Sequence, residues 1–196
     1  MTTIILASNN KDKVKEVKEI LKEYNIISLK DAGIDLDVEE NGTTFKENAT
    51  IKAKYWAKKL NMPVLAEDSG IEIDALNGYP GVYTKRCIEK LRPGAKANTD
   101  KPDELYPVLL ELMAESGNPS TQAKWVSAMA FIDSEKEVFA TEYLLGDMCP
   151  CTGERVFGFD QYFRPTGLNK TLSELSPEEK DSYGPRKRAF ESILNQ

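Results

Sequence analysis

The chain has no histidine among its 196 residues. Histidine triads and the usual general base near neutral pH are therefore unavailable, and acid–base chemistry falls to carboxylates, lysines and tyrosines. Cysteine is scarce: Cys87, Cys149 and Cys151 are odd in number and offer no disulfide framework. Cys149-Pro150-Cys151 is at most half a metal site, and one further cysteine leaves no zinc centre to expect. No apolar run approaches the length of a membrane span, and no charged-then-apolar leader follows Met1. A cytoplasmic protein is the expectation. Basic charge is in deficit, 26 lysines and arginines against 32 acids, for a net charge of −6. That balance argues against a nucleic-acid-binding surface, and a polyanionic ligand would need local basic groups or a metal.

What is present is the profile of a folded domain: 40% hydrophobic and 30% charged residues. The length suits one large domain or two intimately packed lobes. Thr2 to Ala7 reads as a buried strand, Ser8-Asn9-Asn10 as a polar corner, and Lys11 to Tyr24 as a helix with Val14, Val17, Leu21 and Tyr24 at helical spacing. Asparagine is a good N-cap, whereas Lys11 and Lys13 sit in the first turn, where the helix dipole disfavours cations. That combination is either a capped surface helix with solvated lysines or a phosphate site. Asn25 to Leu29 suggests a second strand, followed by an acidic connection that ends in Glu39-Glu40-Asn41-Gly42. Thr44 and Glu47 then form a capping box that opens a helix to about Leu60. Its apolar stripe carries Phe45, Ala49, Ala53, Trp56, Ala57 and Leu60, with Lys52 at the border, either snorkelling or facing a phosphate.

The densest chemistry lies between Met62 and Arg86. Val64-Leu65-Ala66 ends in Glu67-Asp68-Ser69-Gly70, after which alternation resumes as Ile71-Glu72-Ile73-Asp74. The acidic tetrapeptide reads as a tight corner between two strands: ordinary turn chemistry, or paired carboxylates at a strand mouth that hold a hard divalent cation. Residues 87–100 read as a loop and Pro102 to Glu115 as a helix. Ala123 to Ile132 and Glu137 to Leu145 suggest a hairpin, with Gly146 to Arg155 irregular. Phe157 to Phe163 is either an aromatic core strand or an aromatic and acidic surface for a nucleobase. Ser176-Pro177-Glu178-Glu179 starts a helix, Gly184-Pro185 interrupts it, and Arg186 to Leu194 closes the chain.

In this order and spacing, the pieces resemble the inosine triphosphate pyrophosphatase family over essentially the whole chain. The family's Ser/Thr-x-Asn-x-x-Lys is similar to Ser8-Asn9-Asn10-Lys11-Asp12-Lys13. Its acidic loop and helix look like Glu39-Glu40-Asn41-Gly42-Thr43-Thr44-Phe45 and Glu47-Asn48-Ala49, with Lys52 beyond. Its acidic pair before Ser-Gly is Glu67-Asp68-Ser69-Gly70, continuing through Leu76-Asn77-Gly78 and Pro80-Gly81-Val82-Tyr83. The C-terminal half departs from the pattern. Phe-Gly-Tyr-Asp-Pro-x-Phe becomes Phe157-Gly158-Phe159-Asp160-Gln161-Tyr162-Phe163, and the family's Ser-His-Arg becomes Gly184-Pro185-Arg186.

The resemblance implies an α/β fold: an elongated mixed central β-sheet flanked by helices in two lobes, with the active-site cleft between them and residues 1–196 as a single domain. It implies Mg²⁺-dependent hydrolysis of irregular purine nucleoside triphosphates to monophosphate and pyrophosphate. Ser8, Asn10, Lys13, Lys52 and Ser69 would meet the triphosphate. Glu40, Glu67 and Asp68 would surround Mg²⁺, with Asp68 orienting or deprotonating the attacking water. Phe157 would stack on the base within a motif that includes Gly158 and Phe159. Asp160 would accept from its ring N–H groups, and Lys180 and Arg186 would contact its oxygen or the sugar-phosphate end. A homodimer is implied, with no nucleic-acid or membrane partner. Pro185 cannot donate a hydrogen bond where the family has histidine, which leaves open an altered base preference, or a nucleotide-binding sensor on the same fold.

Overall fold

The computed structural model describes residues 2–86, 102–150, 152, 158–194 and 196. Six strands form one mixed sheet: β1 (Thr3–Leu6), β2 (Asn25–Ser28), β3 (Val64–Ile73), β4 (Gln122–Ile132), β5 (Glu137–Met148) and β6 (Phe163–Pro165), in the order β2-β1-β3-β4-β5-β6. β1 pairs in parallel with both β2 and β3, while β6 runs antiparallel to β5. Among the described residues the helices are α1 (Lys11–Ile20), α2 (Phe45–Leu60), α3 (Pro102–Glu115), α4 (Pro177–Tyr183) and α5 (Pro185–Leu194). None of them is long and apolar enough to cross a membrane.

The chain divides into two compact units. The first comprises Met1–Ser69, Ser127–Glu142 and Arg186–Gln196. Strand alternation sorts its core into two layers. Ile5, Val64 and Ala66 pack with Ala49, Ala53 and Trp56 of α2, whereas Leu6 and Leu65 pack with Val17 of α1 and Ala189, Phe190 and Ile193 of α5. The second unit comprises Gly70–Val126 and Tyr143–Pro185. Its core gathers Ile71, Ile73, Leu109, Trp125, Phe159, Tyr162 and Phe163.

Four elements differ from the sequence reading. Glu67-Asp68-Ser69-Gly70 is no corner, because β3 runs unbroken from Val64 to Ile73 through both acids. From Val64 to Asp68 its residues are buried on both faces, so the polar-apolar alternation that marks a strand is missing there and returns only at Ile71-Glu72-Ile73. The described part of the aromatic stretch, Gly158 to Phe163, is not one strand. Gly158 has φ +52°, a short 3₁₀ turn covers Asp160–Tyr162, and only Phe163 enters β6. A Cβ at Gly158 would press on the Trp125 ring at 3.3 Å, so glycine fits there for room as well as for backbone freedom. Finally, α1 ends at Ile20 rather than Tyr24, with Leu21 as its C-cap, and β5 extends through Gly146 to Met148.

Candidate active site

The continuous strand decides how the acidic pair is used. Successive strand residues point to opposite faces, so Glu67 follows Leu65 toward the α1 and α5 layer and Asp68 follows Ala66 toward α2. Glu67 is 3% exposed. Its Oε1 accepts hydrogen bonds from Ser127 Oγ at 2.9 Å and Arg186 Nε at 2.9 Å, and its Oε2 lies 3.4 Å from Lys13 Nζ. Arg186 also donates from Nη1 to Glu16. Burial opposes ionisation of Glu67, but Arg186, Lys13 and the Ser127 hydroxyl outweigh it and hold the carboxyl at about 2. Burial in turn pushes the Lys13 ammonium down, against the pull of Glu67.

On the other face, Lys52 Nζ sits among three oxygens. It donates to Glu40 Oε1 at 2.6 Å and to the Glu67 carbonyl at 2.8 Å, and lies 3.9 Å from Asp68 Oδ1. Asp68 also accepts from its neighbour Ser69 N at 3.1 Å and, on Oδ2, from Asn48 Nδ2 at 3.0 Å. Burial pushes the Asp68 carboxyl upward, Lys52 pulls it down, and the Glu40 charge pushes it up again. The result is a carboxylate disposed to take a proton.

Ser8 and Asn10 organise the start of α1. Asn10 Oδ1 accepts from Asp12 N at 3.0 Å and Lys13 N at 3.2 Å, and Ser8 Oγ accepts from Asn10 N at 3.2 Å. This cap aims the helix turn that carries Lys13, with Glu16 one turn further along.

These residues, Ser8, Asn10, Lys13, Glu40, Lys52, Glu67, Asp68, Ser69 and Arg186, all belong to the first unit. The three carboxylates proposed as a metal set do not assemble as a trio. Among the described residues no group of three or more His, Cys, Asp or Glu could hold a metal ion. The Glu67 side chain is turned to the opposite face and engaged by Arg186, Ser127 and Lys13. Glu40 and Asp68 do share a cation, the Lys52 ammonium, and with the Glu67 carbonyl they provide hard oxygen donors of the kind Mg²⁺ takes. The donor chemistry therefore fits the metal, with Glu40 and Asp68 as the carboxylates.

In the second unit, Asp160 is 1% exposed and its Oδ2 accepts from Lys180 Nζ at 2.6 Å. Phe159 is a core residue, edge-on to Trp125 at 6.1 Å, rather than an exposed platform. Phe157, the expected stacking residue, lies outside the described residues. Arg186 is placed by the structure against Glu67 and Glu16 in the first unit.

Sequence reasoning missed Asn48, Ser127 and Glu16 as partners of the site. Two carried a signal: Ser127 is the one hydroxyl in the apolar run Trp125 to Ile132, and Asn48 is an amide beside the apolar stripe of α2. Glu16 looked like any acid on an exposed helix.

Fold and site define an α/β protein with a buried centre of carboxylates and lysines, the inventory that phosphate chemistry uses. The Ham1 family model matches residues 4–196, and this chain belongs to that family. A relative from Aquifex aeolicus, named dITP/XTP pyrophosphatase, is 37% identical over 98% of this chain and 95% of its own length. A Clostridium perfringens protein of the same name is 38% identical over 98% and 96%. Among solved structures, a HAM1 protein from Coxiella burnetii superposes with a TM-score of 0.85 at 30% identity, covering 100% of this chain and 99% of that one. The Staphylococcus aureus Ham1 protein gives 0.79 at 32% identity, covering 97% and 95%.

Proposed function

We propose that this protein is a Mg²⁺-dependent nucleoside triphosphate pyrophosphohydrolase that acts on irregular purine nucleotides such as ITP, dITP and XTP. The observation that carries the reading is the Asp68 carboxylate, buried beside Lys52 and Glu40 and held by Asn48, in a chain whose relatives bear the name dITP/XTP pyrophosphatase. The protein works on the cytoplasmic nucleotide pool, as a homodimer.

In the proposed reaction, the water oxygen bonds to the α-phosphorus while the bond from that phosphorus to the α,β-bridging oxygen breaks, its electron pair leaving with pyrophosphate. Asp68 orients the water and takes its proton. Lys13 and Lys52 bind phosphate oxygens and offset the triphosphate charge locally, despite the net charge of −6. Ser8, Asn10 and Ser69 complete the phosphate contacts. Glu40 and Asp68 would hold Mg²⁺, which would supply Lewis-acid polarisation of the α-phosphate and charge stabilisation for the leaving pyrophosphate. Glu67 acts from behind, as the counter-ion that fixes Lys13 and Arg186. Asp160 and Lys180 are assigned to the base, with Phe157 as the stacking residue.

The test is a panel of nucleoside triphosphates incubated with Mg²⁺ and scored for pyrophosphate. Turnover of inosine, deoxyinosine or xanthosine triphosphate well above adenosine triphosphate is expected. Nucleotide binding with no turnover of any member would favour the sensor reading. The absence of a donor at Pro185, the first residue of α5, favours a shifted base preference over strict discrimination.

A further inference from the structure

Asparagine is a poor residue for a helix interior and costly to bury unpaired, yet Asn48 sits in the first turn of α2 with 0% exposure. Both ends of its amide are engaged. Oδ1 accepts from Gly42 N at 2.8 Å, and Nδ2 donates to Asp68 Oδ2 at 3.0 Å. Because one partner is an N–H and the other a carboxylate, the amide has a single satisfying orientation.

The capping box fixes α2 in turn. Glu47 Oε2 accepts from Thr43 N at 2.7 Å and Thr44 N at 3.2 Å, while Thr44 Oγ1 accepts from Glu47 N at 3.1 Å. Gly42 closes the arrangement, because a Cβ there would meet Asn48 Oδ1 and the Glu47 Cβ, each at 2.7 Å. Only glycine lets the Glu40-Asn41-Gly42 segment approach the amide this closely.

The geometry points to Asn48 as the positioning residue of the site: it fixes the rotation of the Asp68 carboxylate and ties the Glu40 loop to it through Gly42. The inference rests on the reading above, that Asp68 acts on the attacking water. With Oδ2 held by Asn48, Oδ1 is the oxygen turned toward Ser69 N and Lys52, and hence toward the reacting groups. Asn48 makes no hydrogen bond to Ser8, Asn10 or Lys13, so its contribution is to orientation rather than to phosphate affinity. Orientation of this kind governs the chemical step, and a misplacement of about 1 Å can cost about 100-fold in rate.

The experiment compares wild type with Asn48→Ala, Asn48→Asp and Gly42→Ala, using the preferred triphosphate of the panel. Steady-state kinetics are read alongside the dissociation constant of that nucleotide in EDTA and the circular dichroism spectrum. Asn48→Asp keeps an acceptor for Gly42 but repels Asp68, and Gly42→Ala presses a methyl group against the amide while leaving the Asn48 side chain itself unchanged. The expected result is a fall in kcat of about 100-fold in each Asn48 variant and a smaller fall in Gly42→Ala. KM and the metal-free dissociation constant should stay within about threefold. Should Asn48→Ala fail to fold, the other two variants carry the test. A kcat within twofold of wild type in any folded Asn48 variant overturns the proposal, as does a rise in KM and dissociation constant at unchanged kcat. Asp68→Asn, measured in parallel, separates the two readings: full turnover in that variant would sink the role of Asp68 itself, whatever Asn48 does.

Discussion

Glu67 and Asp68 are adjacent in sequence but meet different partners on opposite faces of β3, and the strand's alternation is the cause. Glu67 holds a buried charge network whose members are costly to remove singly, because each deletion strands a charge away from water. Glu67→Gln should destabilise the fold by about 3–5 kcal/mol, read from urea denaturation at neutral pH. In the Glu67→Gln/Arg186→Met double variant the cost should be less than the sum of the singles. The same pair sets an acid limit. The folded protein holds Glu67 at about 2, below the ordinary glutamate value of about 4.3 in an unfolded chain. Its stabilisation is thus complete above the ordinary value and lost as pH falls toward the folded one. Stability should drop between about pH 5 and pH 2, and Glu67→Gln should flatten that part of the curve; an unchanged acid limb would show that other carboxylates set it. In the proposed reaction Asp68 takes the proton of the attacking water: Asp68→Asn should abolish turnover while nucleotide binding in EDTA persists, and persistent turnover would show that the base lies elsewhere.

At the scale of elements, the sequence was informative wherever a local rule governed the outcome. The capping boxes at Thr44 and Ser176 and the Asn10 cap were legible because the side chains act within one helical turn. The stripe of α2 was legible too, and Ala49, Ala53 and Trp56 are all buried. Trp56→Ala should therefore cost about 3–5 kcal/mol, measured by the same denaturation. What was not legible depended on distant partners. β3 hid its continuity because its acids are held by distant partners, Glu67 by the Arg186 guanidinium 119 positions away and Asp68 by the Asn48 amide 20 positions away. Without those partners in view, Asp-Ser-Gly reads as a turn. The hydroxyl of Ser127 reaches Glu67 across 60 positions, a pairing that no local pattern encodes. Motif order links Ser8, Asn10, Lys13, Glu40, Lys52, Glu67 and Asp68 in one series, but only the strand's pleat sorts Glu67 with Lys13 onto one face and Asp68 with Lys52 and Glu40 onto the other.

At the scale of the whole molecule, the two compact units share their strands. β3, β4 and β5 each have residues in both units, since three of the four boundaries fall after Ser69, Val126 and Glu142. A cut at any of these three boundaries would break a strand in its middle and expose unpaired backbone groups. That continuity predicts one cooperative transition rather than two. The chain supplies its own reporters, because its two tryptophans are divided between the units: Trp56 at 1% exposure in the first, and Trp125 at 8% in the second. Trp56→Phe leaves Trp125 as the sole indole, and Trp125→Phe leaves Trp56. Each loses some packing, so each is compared with its own circular dichroism melt rather than with the other variant. In each variant, fluorescence and circular dichroism should give the same urea midpoint, as a two-state transition requires. If the Trp125 signal is lost at a urea concentration where most of the secondary structure remains, the second unit unfolds on its own and residues 1–196 are two cooperative units. Coincident midpoints in both variants make them one.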